Sequence, residues 1–223
     1  MQDEKNVNKD ISNDKQLKLS YSKITITRFN SKTYQYNKLW RENNQFKGCI
    51  YGSPTEFSEK YTPNTPIFVI EMNNCLNIIE GIGLIINKKA NEIDKRIRVY
   101  DDANYNRYTY MSEYRIDKSE FLLCHKLIIN LLEIFLFKGS KHSKRSQGIT
   151  LLPEWIKSKN KLKQNLNYKI KLLLNFNFDS NFIKNFINNK GYFDFNTFFQ
   201  NLFIQKYKCN RIDDLVFSKT KII

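Results

Sequence analysis

Two rhythms of apolar residues divide this chain. From residue 20 to about 117 they come in short alternating or continuous runs between polar turns, the pattern of β-strands. "YSKITITRF" alternates and is rich in β-branched residues, which predicts a strand. "YQYNKLW" reads as a short helix or turn carrying Trp40. "GCIYGSP" reads as a short strand ending in a turn at Gly52, Ser53 and Pro54. "PIFVIEM", Pro66 to Met72, is almost continuously apolar at strand length, so it should be buried on both faces. After the turn residues of "NNCLN", the segment "IIEGIGLII" reads as the returning strand of a hairpin, with Gly81 and Gly83 inside it. Glycine within a strand marks a bulge, a corner or a close backbone approach. "RIRVY" and "RYTYMSEYRI" bring the expected total to about six strands. A small closed or nearly closed barrel would hide their edges.

The rhythm then becomes helical. "SEFLLCHKLIINLLEIFLFKG" opens at Ser119, a fair N-cap, and stops at Gly139, a fair C′ residue. Apolar residues nearly encircle it, which predicts a buried helix. After Pro153 a second helical stretch follows, and further helices are expected near Asn181 to Asn188 and Asn196 to Lys206. Residues 1–18 are polar and read as a disordered tail. The expected fold class is therefore α+β: a β-rich barrel domain over 19–118, then a basic helical region over 119–223 that can pack on it.

Composition sharpens this picture. The chain has 223 residues, 41% hydrophobic and 14% aromatic, so it can build a real core and is not globally disordered. Asn, Lys and Ile are over-used, as in an AT-rich genome. The net charge of +15 favours polyanionic partners, nucleic acid first. Cys49, Cys75, Cys124 and Cys209 are dispersed with no C-x-x-C spacing, so they read as buried free thiols of a reducing compartment rather than a zinc site. The longest apolar run, Leu127 to Phe137, is interrupted by Asn130 and Glu133 and is too short to span a bilayer. No membrane insertion is expected, and the expected location is intracellular.

Candidate chemistry is uneven. Gly81-Ile82-Gly83 lacks the third glycine and the following helix of a dinucleotide fingerprint, so it reads as a structural pair. His125 reads as a core histidine of the apolar helix. His142 stands among Lys141, Lys144 and Arg145 with no carboxylate to orient it or to help hold a metal. Asp101 and Asp102 read as a solvated turn. No complete catalytic site emerges, and neither a cofactor nor a metal is implied. The stronger feature is "KGSKHSKRSQG", Lys138 to Gly148. Between Lys138 and Lys171 ten basic residues face a single acid, Glu154. In the loop, serines and glycines separate the charges, so backbone N–H groups, hydroxyls and cations can meet phosphate together. Lys138, Lys141, His142, Lys144 and Arg145, with Arg107 in the β-rich half, are the candidate phosphate contacts. Trp40, Tyr51, Tyr105, Tyr108 and Tyr110 supply rings on which bases stack, near Arg98 and Arg107.

The series "GCIYGSP", "PNTPIFVIEMNN", "IEGIGLI", "NYNRYTYMSEYRID" and "KGSKHSKRSQGI" occurs in this order. Over about residues 24 to 150 it resembles an uncharacterised protein family of nucleocytoplasmic large DNA viruses, the giant viruses. A Trp, a strand ending in Gly-Ser, an apolar strand and a "GIG" strand also resemble the PUA-like barrel group, which includes the EVE, ASCH and YTH domains. Members of that group bind RNA or modified bases at the barrel mouth. The likeness implies a base pocket near Trp40, Tyr51, Ser53, Asn73 and Asn74. A cage of two or three aromatics is missing, so general nucleic-acid binding, RNA or DNA, is the implied activity. The resulting expectation is a non-catalytic nucleic-acid-binding protein of a large DNA virus, acting in the host cytoplasm, the viral factory or the virion. The alternatives are a virion structural or packaging protein that meets an acidic viral protein and, further off, a nucleic-acid-processing enzyme with His142 as base.

Overall fold

The computed structural model describes residues 22–57, 65–90, 97–157 and 162–217, the side chains of 162–164 and 216–217 excepted. The tail expected over 1–18, Lys159 and Lys161 lie outside these residues. The elements are β1 (Lys23–Phe29), α1 (Ser31–Asn43), β2 (Cys49–Ser53), β3 (Pro66–Asn73), β4 (Ile78–Ile86), β5 (Tyr108–Ser112), β6 (Tyr114–Asp117), α2 (Leu123–Phe137), β7 (Thr150–Leu151), α3 (Glu154–Lys157), α4 (Leu162–Asn175), α5 (Ser180–Asn188), α6 (Phe195–Tyr207) and α7 (Ile212–Phe217). The fold is α+β. A mixed sheet runs β6-β4-β3-β1-β7, and β2 pairs with β5 in a separate antiparallel ribbon.

The expected barrel is therefore not closed among the described residues. The reason lies at Glu113, where the predicted strand "RYTYMSEYRI" divides: β5 pairs with β2, while β6 pairs with β4. Arg96 of the expected "RIRVY" strand lies outside the described residues, and 97–100 form no strand. Val99 and Tyr100 donate their N–H groups to the Asn106 carboxamide oxygen, at 2.9 and 3.0 Å, rather than to a neighbouring strand. The outer edge of β1 is covered by β7, a strand from the helical half.

α1 is longer than expected because Asn30 and Thr33 form a capping box, with the Asn30 side chain accepting from Thr33 N–H and the Thr33 hydroxyl accepting from Asn30 N–H. It opens the connection between β1 and β3, which lie parallel, and β2 follows it in that connection. α2 starts at Leu123 rather than Ser119. Ser119 belongs instead to a one-turn 3₁₀ helix capped by Asp117. Gly139 stops α2 as expected, at φ +73° in the left-handed region.

Every residue of β3 from Ile67 to Asn73 is buried, as the apolar run required. Alternate residues serve two cores. Phe68, Ile70 and Met72 join Ile24, Ile26, Ile82 and Leu84 beneath the helices of the C-terminal half. Ile67 and Val69 face the ribbon and α1 with Phe29, Ile50, Tyr100 and Tyr110. The helical region is thus packed on the sheet through a continuous core. Of the four thiols only Cys49 is buried; Cys75 and Cys124 are exposed and Cys209 is intermediate.

Glu71, on the ribbon side of β3, is the charged centre of that second core. Its carboxylate accepts a fork from Arg115, with Nε to Oε1 at 2.9 Å and Nη2 to Oε2 at 2.7 Å, and a third bond from the Tyr51 hydroxyl at 2.8 Å. Glu71 is 1% and Arg115 4% exposed. Burial acts against the arginine's charge, but the Glu71 carboxylate and the bond to Asp117 outweigh it and hold the guanidinium ionised. Burial, with the Glu71 charge beside it, holds the Tyr51 phenol protonated, so it donates. The glycine pair of β4 makes this possible. A Cβ on Gly81 would stand 2.7 Å from Arg115 Nη2, and one on Gly83 would stand 2.1 Å from the Tyr51 hydroxyl. Glu71→Gln leaves a buried guanidinium without its main counter-charge and is expected to cost about 3–5 kcal/mol. Replacing the set together, as Glu71→Met with Arg115→Met and Tyr51→Phe, should cost less than that single change. Urea unfolding of both variants tests this, and a loss below about 1 kcal/mol for Glu71→Gln would contradict it.

The helical layer buries a second charge. Lys169 on α4 has no exposed surface; its Nζ donates to Gly191 carbonyl at 3.0 Å and lies 5.7 and 5.8 Å from the Phe135 and Phe186 rings. No carboxylate pairs with it among the described residues, and burial pulls its pKa down to about 8. The folded ammonium thus releases its proton earlier than the unfolded one. Its burial penalty is present in full below pH 8 and is relieved as pH rises from 8 to 10.5. Against Lys169→Met, the wild type should gain up to roughly 3 kcal/mol in relative stability across that window. A stability difference flat with pH would contradict this.

Candidate nucleic-acid interface

The C-terminal ends of the parallel strands β1 and β3 meet the N-terminus of α1. Asn74, the first residue beyond β3, donates its N–H to Phe29 carbonyl at 2.8 Å and extends the parallel pairing to the end of β1. The chain there opens a cavity of about 170 Å³. Arg28, Phe29, Asn30 and Thr33 line one side, Gly52, Tyr100 and Tyr105 a second, and Asn74, Ser146 and Gly148 a third.

Each wall has a local cause. Gly52 lies against the 97–107 segment so closely that a Cβ would stand 2.0 Å from Tyr105 carbonyl. Tyr100 and Tyr105 meet edge to face, with centroids 6.0 Å apart. The basic loop forms the third wall because it is tied down at three points. Ser143 N–H donates to Leu136 carbonyl at 2.7 Å, Arg28 Nε donates to Ser143 carbonyl, and Asn74 Nδ2 donates to Lys144 carbonyl at 2.9 Å. Gly148, at φ +67°, closes the wall; a Cβ there would stand 2.3 Å from Ser53 Oγ. Ser146 holds φ +120°, a backbone that few non-glycine residues adopt and that clusters at functional sites.

Arg28 is half-buried, and it donates to Ser143 carbonyl and to Thr150 hydroxyl at 3.0 Å; among the described residues no carboxylate pairs with it. Burial pulls its pKa down to about 10, still charged at neutral pH. α1 has no acid in its first turn, so its positive end is not offset there.

The candidate residues separate on this frame. Lys144 and Arg145 precede the cavity wall directly, half-buried and exposed respectively. Lys138 and Lys141 are instead held at α4 and at Phe176 just beyond its end. Lys138 Nζ lies 5.3 Å from the Phe176 ring, and Lys141 Nζ lies 5.1 Å from the Tyr168 ring and bonds Asn165. His142 is half-buried, its Nδ1 3.4 Å from Lys144 N. Arg107 is exposed over the Tyr108 ring at 5.9 Å. Of the residues expected around a base, Asn74 lines the cavity. Tyr51 is instead bonded to Glu71. Ser53 is buried beneath Gly148, its hydroxyl engaged with Thr55 carbonyl. Asn73 is buried and caps the β3–β4 turn, accepting from Cys75 and Leu76 N–H at 3.1 Å. Trp40 packs on Phe46 near the other end of α1, centroids 6.0 Å apart.

Sequence reasoning passed over Arg28, Asn30 and Thr33, and read Gly52 only as a turn residue. The "RFN" step from an alternating strand into a capping residue was the available signal for the first two. Among the described residues no group of three or more His, Cys, Asp or Glu could hold a metal ion, and no helix is long and apolar enough to cross a membrane. No family model, curated protein or solved structure matches this chain.

Gly148→Ala puts a methyl group against Ser53 in a left-handed backbone, which should push the loop off its wall. The expected result is a stability loss of about 1–3 kcal/mol, with added proteolytic cleavage in the 143–148 segment. Unchanged cleavage and stability would show that the loop is not held there.

Proposed function

We propose that this chain is a non-catalytic nucleic-acid-binding protein that takes a single-stranded segment at the cavity between β1, α1 and the basic loop. One observation carries the reading: the cation-bearing loop is itself a wall of a cavity that also presents Tyr105 and the polar groups of Asn30, Thr33 and Asn74. Stacking on a half-buried ring and phosphate contact from Lys144 and Arg145 would then act on one strand. The end of a parallel strand pair is also where open sheets hold ligands, a fold-level analogy only. The motif series adds the reading of a large-DNA-virus protein, working in the infected cell or the particle. The rival, docking on an acidic viral protein, uses the same charge but has no need of the cavity.

Titration of labelled single-stranded RNA, single-stranded DNA and duplex DNA across a salt series separates them. The wild type should prefer a single strand at physiological salt. Lys144→Ala with Arg145→Ala should weaken binding on the order of tenfold and flatten the salt slope by roughly 1–2. Lys138→Ala with Lys141→Ala should leave the slope nearly intact, because those side chains are held at α4 and Phe176. Equal loss in both pairs, or binding that vanishes at physiological salt for all three probes, would overturn the reading.

A further inference from the structure

A second cavity, about 370 Å³, lies along the C-terminal half of α1. Tyr34, Lys38, Arg41 and Glu42 line it, their spacing of four, three and one placing them on one side of the helix, and Gln45 follows just beyond the helix end. Phe46 and Lys47, just beyond the helix, and Asp117, at the end of β6, complete the wall. Three cations therefore meet two carboxylates, and the carboxylates are unequal. Asp117 is spent: its Oδ2 accepts from Arg115 at 2.7 Å and its Oδ1 from Ser119 N–H and hydroxyl at 3.0 and 2.9 Å. Glu42 is exposed and faces Lys38 at 3.8 Å, a loose pair worth little in water. Arg41 is held by its Nε on Asn37 Oδ1 at 3.1 Å, which fixes the guanidinium on the helix. Its interaction with Asn37 is neutral, so its charge is left for another partner.

We propose that this second cavity is a phosphate subsite for the same nucleic-acid strand, with Lys38, Arg41 and Lys47 as its cations and Phe46 as a stacking ring. The inference rests on the reading of the first cavity. α1 with its N-cap is the shared wall: Asn30 and Thr33 bound the first cavity, and Tyr34, Lys38, Arg41 and Glu42 bound the second. Thirteen residues of helix span roughly 20 Å, a reach that a strand of several nucleotides covers. A strand held at the first cavity thereby gains a second, tethered contact whose effective concentration is high.

The test is a length series of one, three, six and nine nucleotides of a single-stranded oligonucleotide. Each is titrated into the wild type, into Arg41→Gln with Lys47→Gln, and into Lys38→Gln with Lys47→Gln. The last pair changes only exposed side chains and guards against a folding defect at Arg41. The wild type should gain on the order of tenfold or more between the single nucleotide and the six-nucleotide strand. Both variants should lose most of that gain while binding the single nucleotide as before. Three outcomes overturn the proposal: a wild-type affinity that does not rise with length, variants that keep the full gain, or variants that bind an acidic peptide less well but oligonucleotides unchanged. Wild type that binds no oligonucleotide at physiological salt would sink the first-cavity reading itself.

Discussion

The buried ion pair of Glu71 and Arg115 sets the geometry of the ribbon side of this molecule. A carboxylate in the middle of the central strand is costly unless its lone pairs are taken, and here three donors take them. The three belong to two residues from different places. Arg115 stands on the edge strand β6, Tyr51 on the ribbon, and both reach across β4 through the space left by Gly83 and Gly81. The pair thereby fixes how the ribbon lies over the sheet. It also explains why "RYTYMSEYRI" cannot be one strand. Tyr110 must pair opposite Tyr51 in the ribbon, while Arg115 must pair opposite Gly83 in the sheet. The turn at Glu113 satisfies both.

The cavity is a consequence of the same arrangement. β1 and β3 are parallel, so the crossover between them must begin where β1 ends, and α1 begins there. The ribbon brings Gly52 to that end because Tyr51 is pinned to Glu71. The basic loop arrives because β7 must reach the free edge of β1, and the Arg28 bonds to Ser143 and Thr150 draw loop and strand together. Charge is thus delivered to a concave place by backbone pairing, not by charge attraction. That matters for a lysine-rich chain, in which cations on a flat surface would say little.

Much of the fold was legible in the sequence because strong periodicity leaves few choices. The continuous run of β3, the returning β4 with its two glycines, the apolar α2 and its stop at Gly139 all follow from local rules. What escaped depended on partners far away in the chain. Nothing local in "RIRVY" shows that Asn106 will take the N–H groups of Val99 and Tyr100. Nothing in Lys169 distinguishes it from Lys171, which is exposed two positions on. The site was half legible. The loop stood out by its charge, yet sequence could not divide Lys138 and Lys141, which are held at α4 and Phe176, from Lys144 and Arg145 beside the cavity. Tyr51, Ser53 and Asn73 were expected at a base pocket through the barrel resemblance, and the structure engages each of them in holding the walls rather than lining them. Gly52, silent by itself, is the ribbon residue whose missing side chain leaves room at the cavity.

The central claim is that a nucleic-acid strand enters the space between α1, the ribbon and the basic loop. The most direct measurement is an NMR titration of the ¹⁵N-labelled protein with a short single-stranded oligonucleotide at physiological salt. The account expects the amide signals of Asn30, Thr33, Gly52, Asn74, Ser146 and Gly148 to move first and to saturate together. Shifts scattered over exposed lysines of the helical half such as Lys184, Lys190 and Lys208, with those six signals still, would contradict it.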